Sequence, residues 1–113
     1  MSPWVMVGVS MYQERTPLDF LKSICNILDE PIKEVLGHSR KRELVEARQI
    51  AFYIAVNNIK KVTLERIGRE LGGKNHATVI HGVNKINNLK GYDDVIKEKL
   101  KLIEKNRPLW KVN

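Results

Sequence analysis

Cysteine is nearly absent: Cys25 stands alone among 113 residues, which excludes an internal disulfide framework and suits a reducing, intracellular setting. No apolar run approaches the ~18–20 residues needed to cross a bilayer. Runs of strand period are missing beyond the N-terminal segment. Acidic side chains are in deficit, 13 against 20 Lys and Arg, for a net charge of +7 with histidines neutral. What remains, 42% hydrophobic and 29% charged, is the composition of an ordinary soluble chain, neither disordered nor membrane-like. This length has room for one domain. The opening residues are apolar but lack a basic leader and a cleavage site. We expect a poorly ordered or docked extension over 1–15, a domain over 16–106 and a tail over 107–113.

The basic excess is concentrated. Residues 1–38 carry three basic and five acidic side chains, residues 39–90 eleven and four, and residues 91–113 six and four. The middle segment therefore holds +7 by itself, a density that points to nucleic acid. A membrane surface would attract the same charge, but no segment is a basic amphipathic helix with bulky aromatics on its apolar side.

Helix signals follow one another along the chain. Thr16 is placed to cap, Pro17 suits a first helical position, and Leu18, Leu21, Ile24, Cys25 and Leu28 recur at helical spacing. A short helix is predicted from Pro31 to Gly37, then a basic connection through Arg40, Lys41 and Arg42. The next helix runs from about Glu43 to Asn57, and apolar residues on most of its sides place it at the centre of the domain. Thr63 caps a short helix that ends at Gly72-Gly73, and Asn75 caps another through Val79, Ile80, Val83, Ile86 and Leu89. The last is expected from Tyr92 to Asn106, with Val95, Ile96, Leu100 and Ile103 inward. The class is all-α, a helix-turn-helix bundle of about six helices.

Gly68 allows the two helices of that motif to approach closely, and Gly72-Gly73 allow reversal through positive φ. The second helix, about 16 residues and roughly 24 Å long, suffices to lie along a major groove. Its N-terminus carries unpaired N–H groups and a positive dipole, suited to a phosphate or a base edge. Its leading and outer positions are His76, Ala77, Thr78, His81 and Lys85.

Rival chemistry is weaker. Gly68 to Asn75 nearly satisfies G-x-x-x-x-G-K-[ST], but Asn75 cannot replace the magnesium-binding hydroxyl, no strand precedes it, and Gly68 lies inside a helix. His76 and His81, five apart, do not share a helical face, and no Cys or carboxylate completes a metal site. Cys25 on its apolar stripe reads as a buried, inert thiol. His81 is expected to pack beside Ile80 and Lys85, Trp4 and Trp110 to pack the termini, and Lys97, Lys99, Lys101 and Lys105 to form a solvated face with Glu98 and Glu104. No catalytic set, cofactor, metal or small-molecule substrate is expected.

The run from Arg66 through Gly72-Gly-Lys-Asn-His-Ala-Thr78 to Ile86 resembles the C-terminal DNA-binding domain of DnaA, the bacterial chromosomal replication initiator family, whose fold is of the Trp-repressor-like kind. Upstream, Ala47-Arg48-Gln49 resembles that family's Ala-Arg-Gln helix, and Arg40-Lys41-Arg42 its basic loop. The resemblance covers about residues 18–104. It implies that Asn75, His76, Ala77 and Thr78 read a box in the major groove, while Arg40, with Arg42 beside it, reaches the adjacent minor groove. It further implies that Arg48 and Gln49 touch backbone and base edges, that Lys74 and Lys85 bind phosphate, and that Thr63 and Leu64 meet the backbone.

Two departures stand out. The family usually has Asp-His-Thr-Thr or Asp-His-Ser-Thr where this chain has Asn75-His76-Ala77-Thr78, and Ala77 keeps a methyl for thymine but loses a hydrogen-bonding group. Glu46 stands where a basic or neutral residue is common, adding repulsion near a phosphate. The family's ATP-binding module does not fit within 113 residues. The resemblance therefore implies a non-enzymatic, cytoplasmic, nucleoid-associated accessory factor that binds double-stranded DNA at initiator-type sites and regulates replication initiation. Two alternatives stay open: a transcriptional repressor with its own operator, and an interaction module that docks on a replication protein through the N-terminal segment and Trp110.

Overall fold

Thr16 opens the first helix with a reciprocal cap: its Oγ1 accepts from the Asp19 N–H at 3.1 Å, and its own N–H donates to Asp19 Oδ2 at 3.1 Å. Pro17 follows in the first helical position, where its missing N–H costs nothing. The computed structural model that places these atoms describes residues 16–106. The expected extension and tail, with Trp4 and Trp110, lie outside the described residues.

Six helices follow among the described residues: α1 (Pro17–Leu28), α2 (Ile32–Leu36), α3 (Arg42–Asn58), α4 (Leu64–Glu70), α5 (His76–Leu89) and α6 (Asp94–Lys105). The all-α class and the helix-turn-helix hold. α3 is the central element, packed most extensively on α5 and α1 and touching α2 and α4. Leu44, Ala47, Ile50, Ala51, Phe52, Ile54 and Ala55 are all buried on it. Phe20, Leu21 and Ile24 of α1, Ile67 of α4, Val79 and Ile86 of α5, and Ile96 and Ile103 of α6 join them in the core.

Glycine sets the crossing of the motif's two helices. A Cβ on Gly68 would lie 2.1 Å from the Lys74 carbonyl oxygen, so only hydrogen fits there. Gly72 and Gly73 turn the chain at φ 101° and 68°. Gly82, in the middle of α5, plays a similar part against α3: its Cβ would stand 2.7 Å from the Phe52 ring.

Some expectations are corrected. The last helix begins two residues after Tyr92, because Asp93 takes the cap by accepting from the Ile96 N–H at 3.0 Å. Tyr92 is left exposed. Val95 also faces outward, 47% exposed, because Ile96 and Ile103, a heptad apart, supply the inward stripe with Leu100 half-buried between them. α5 has 14 residues rather than about 16, hence roughly 21 Å of rod.

Candidate nucleic-acid interface

The tip of α5 is open. Asn75 accepts a hydrogen bond from the Thr78 N–H at 2.9 Å, and Asn75, His76, Ala77 and Thr78 are all exposed. Val79, Gly82 and Ile86 point into the core. The opposite face therefore presents Ala77, His81, Asn84 and Asn88 in one row, with Thr78 and Lys85 along one flank and Ile80 on the other. His81 thus stands in the exposed row instead of packing away, and Asn84 and Asn88 join it. The signal for these two is their helical spacing from Ala77, seven and eleven residues on.

A second surface lies beside this rod. Arg40, Arg42, Gln49 and Lys85 line a depression of about 440 Å³, with Glu46 and Asp93 at its acidic side. Arg40 is exposed in the connection between α2 and α3. Arg42 Nε lies 3.3 Å from Glu46 Oε2, and Lys99 Nζ lies 2.5 Å from Glu46 Oε1. Lys99, expected on a solvated face, is instead half-buried in this pair. Glu46 is accordingly neutralised from both sides, which removes most of the repulsion expected of it. At the start of α4, Thr63 Oγ1 accepts from the Arg66 N–H at 3.1 Å and Leu64 is half-buried. Arg66 is paired with Glu70 at 2.8 Å.

Two of the expected phosphate ligands have their side-chain donors engaged with carbonyls of the fold. Arg48 is only 8% exposed. Its Nε donates to the Val35 carbonyl at 2.7 Å, Nη1 and Nη2 to the Ser39 carbonyl at 3.3 Å each, and Nη2 to the Glu34 carbonyl at 3.5 Å. Lys74 Nζ donates to the carbonyls of Leu36 at 3.0 Å, Gly37 at 2.8 Å and Gly72 at 3.2 Å. The carbonyls of Val35 and Leu36 at the end of α2 have no further helical turn to accept from, and the two cations take them together with those of Gly37 and Ser39 in the following connection. Burial lowers the pKa of both side chains, and the Arg48 charge lowers that of Lys74 further.

Among the described residues no group of three or more His, Cys, Asp or Glu is placed to hold a metal, and no helix is long and apolar enough to cross a membrane. The near-match to a phosphate-binding loop is a buried helical Gly68 followed by the helix-turn-helix turn, and Lys74 is already committed to carbonyls.

Comparison with known proteins bears on this geometry. The family described as bacterial DnaA protein helix-turn-helix matches residues 19–86. The chromosomal replication initiator protein DnaA of Streptococcus mutans is 34% identical over 86 residues, 76% of this chain and 19% of that protein. The DnaA of Streptococcus agalactiae is 37% identical over 73 residues, 65% of this chain and 16% of its own length. The DnaA of Streptococcus thermophilus is 33% identical over 86 residues. The chain thus spans less than a fifth of the length of these relatives.

Proposed function

From a chain that belongs to the bacterial DnaA helix-turn-helix family, we propose sequence-selective binding of double-stranded DNA at initiator-type sites, in the service of replication initiation or its regulation. The observation that carries this is the open tip of α5, where four consecutive side chains, Asn75 to Thr78, stand exposed on a capped helix whose farther half, at Lys85, shares a depression with Arg40. Its cap leaves the leading N–H groups and positive dipole end facing outward, so bases and phosphates meet donors that are already oriented.

The division of labour follows from chemistry. Lys85, Arg42 and the start of α4 at Thr63 and Leu64 set register on the phosphates. His76, Ala77 and Thr78 read base edges in the wide groove, and Gln49 from α3 joins them farther along α5, where it lies against Gly82. Arg40 enters the narrow groove and favours an A·T-rich stretch, where the negative potential is deepest. The protein is a binding module without a catalytic step.

Selection of bound sequences from a random duplex pool tests this. Enrichment of one box, followed by gel shifts showing a clear preference over a scrambled duplex of equal composition, is the expected result. Recovery of no common sequence overturns it. Enrichment of an operator unrelated to initiator-type boxes would instead favour a transcriptional repressor.

A further inference from the structure

Arg48 and Lys74 reach the same short stretch of backbone from different parts of the chain. Arg48 comes from the middle of α3, Lys74 from the turn between α4 and α5. Together they occupy the carbonyls of Glu34, Val35, Leu36, Gly37 and Ser39. The turn itself is pressed onto the same place: a Cβ on Gly72 would lie 2.1 Å from the Leu36 carbonyl oxygen. Three separate segments are therefore locked at one junction.

The junction sits between the two reading elements. Ser39, whose carbonyl Arg48 grips with two nitrogens, immediately precedes Arg40. Lys74 immediately precedes Asn75, the cap of α5. All three of the Lys74 ammonium donors are engaged with carbonyls, so none remains for a phosphate oxygen.

We propose that Arg48 and Lys74 are positioning residues, which set the Arg40 loop in register with the tip of α5 and so determine selectivity without touching DNA. This rests on the DNA-reading function proposed above and assigns how that site is held. Two anchors fixed one residue before each reader make their separation a property of the fold rather than of the bound complex. Binding then spends less on ordering the loop, and only a duplex with the right spacing between its wide-groove and narrow-groove features can satisfy both readers.

Lys74→Met keeps the stem and removes the donors. Its affinity for the selected duplex should fall about tenfold or more while that for a scrambled duplex changes less than about twofold. The salt slope on both duplexes should stay as in the unaltered protein, and the bonded backbone amides of Val35 and Gly37, whose segment the two cations hold, should exchange faster in the free protein. Arg48→Lys, which keeps the charge but loses the fork, should show the same loss of preference. Equal losses on both duplexes, with a salt slope flatter by about one unit, would make Lys74 a phosphate ligand and overturn the proposal. Unchanged selectivity with unchanged exchange would overturn it equally. If Lys74→Met does not fold, Lys74→Gln carries the same measurements. Should the unaltered protein prefer no duplex, the DNA reading fails alone, and exchange at Val35 and Gly37 still decides whether these cations hold the junction.

Discussion

Replacing Gly68 by alanine probes the angle at which α5 is presented. The added Cβ would stand 2.1 Å from the Lys74 carbonyl oxygen, 3.0 Å from its carbon and 3.3 Å from a Val79 methyl. A relaxed carbon–oxygen contact needs about 3.3 Å, so the turn must move by more than ~1 Å. Neither atom of Lys74 belongs to a flexible side chain, and the Lys74 N–H is itself bonded to the Gly68 carbonyl at 2.7 Å. The displacement therefore travels to the start of α5. Alanine recovers about 1 kcal/mol of helix propensity, while overpacking with backbone movement costs ~3 kcal/mol. The net destabilisation is about 2 kcal/mol, a melting temperature lower by roughly 8–16 °C for a domain of this size. Circular dichroism melts check it, with Gly91→Ala as the control, since a Cβ there meets nothing within 4 Å and should shift stability by less than ~0.5 kcal/mol. A Gly68→Ala protein melting at or above the unaltered one would refute the close approach, because propensity alone would then have decided the outcome.

Arg40→Ala should weaken the selected duplex by the ~1–3 kcal/mol of a good base contact and relax preference at one end of the site, as read by gel shifts on single-position variants; equal losses on scrambled DNA would remove Arg40 from the readers. Lys85→Ala should weaken all sequences alike and flatten the log–log salt slope by about one unit. Glu46→Gln frees Lys99 and Arg42 from their shared carboxylate, so binding to a scrambled duplex should tighten and its salt slope steepen by up to about one unit; weaker binding would mean that the pair was holding the surface in shape. Cys25 is buried and its thiol is pushed up to about 11 from 9.0, by desolvation first and by the Glu30 charge second. The folded state holds that proton more tightly than the unfolded one, so this contribution to stability is complete below pH 9.0 and is lost as pH rises towards 11. Iodoacetamide at pH 8 should accordingly modify the folded protein slowly and the urea-unfolded protein fast, and equal rates would contradict the burial.

Much of the frame is visible in single residues because caps and turns have distinctive chemistry. Thr16, Thr63 and Asn75 each bond the N–H their type and position call for, and Gly72-Gly73 take the positive φ that their pairing announces. The start of the last helix is ambiguous in sequence because Asp93 and Tyr92 adjoin, and only the accepting carboxylate decides which residue leads. Gly82 carries a legible signal of a different kind. A glycine inside a helix costs about 1 kcal/mol against alanine, so its presence asks for a packing reason, and Phe52 is that reason. The exposed row on α5 follows from helical phase once the buried stripe is known; without the core, Asn84 is one polar residue among several.

Arg48 and Lys74 show why a charge count overstates an interface. Their acceptors are backbone carbonyls, which every residue carries and no sequence advertises. Only Arg48 leaves a trace, since it falls four residues after Leu44 and seven before Ala55, on the stripe that packs inward. The surplus of +7 on residues 39–90 includes these two cations, both consumed inside the fold, whereas Arg66, tied to Glu70 at 2.8 Å, already cancels within it. Fewer charges than the composition suggests are free to neutralise phosphate. A salt slope shallower by about two units than seven charges would imply is therefore the consistent expectation, with Arg40, Lys85 and the releasable Arg42 among its carriers.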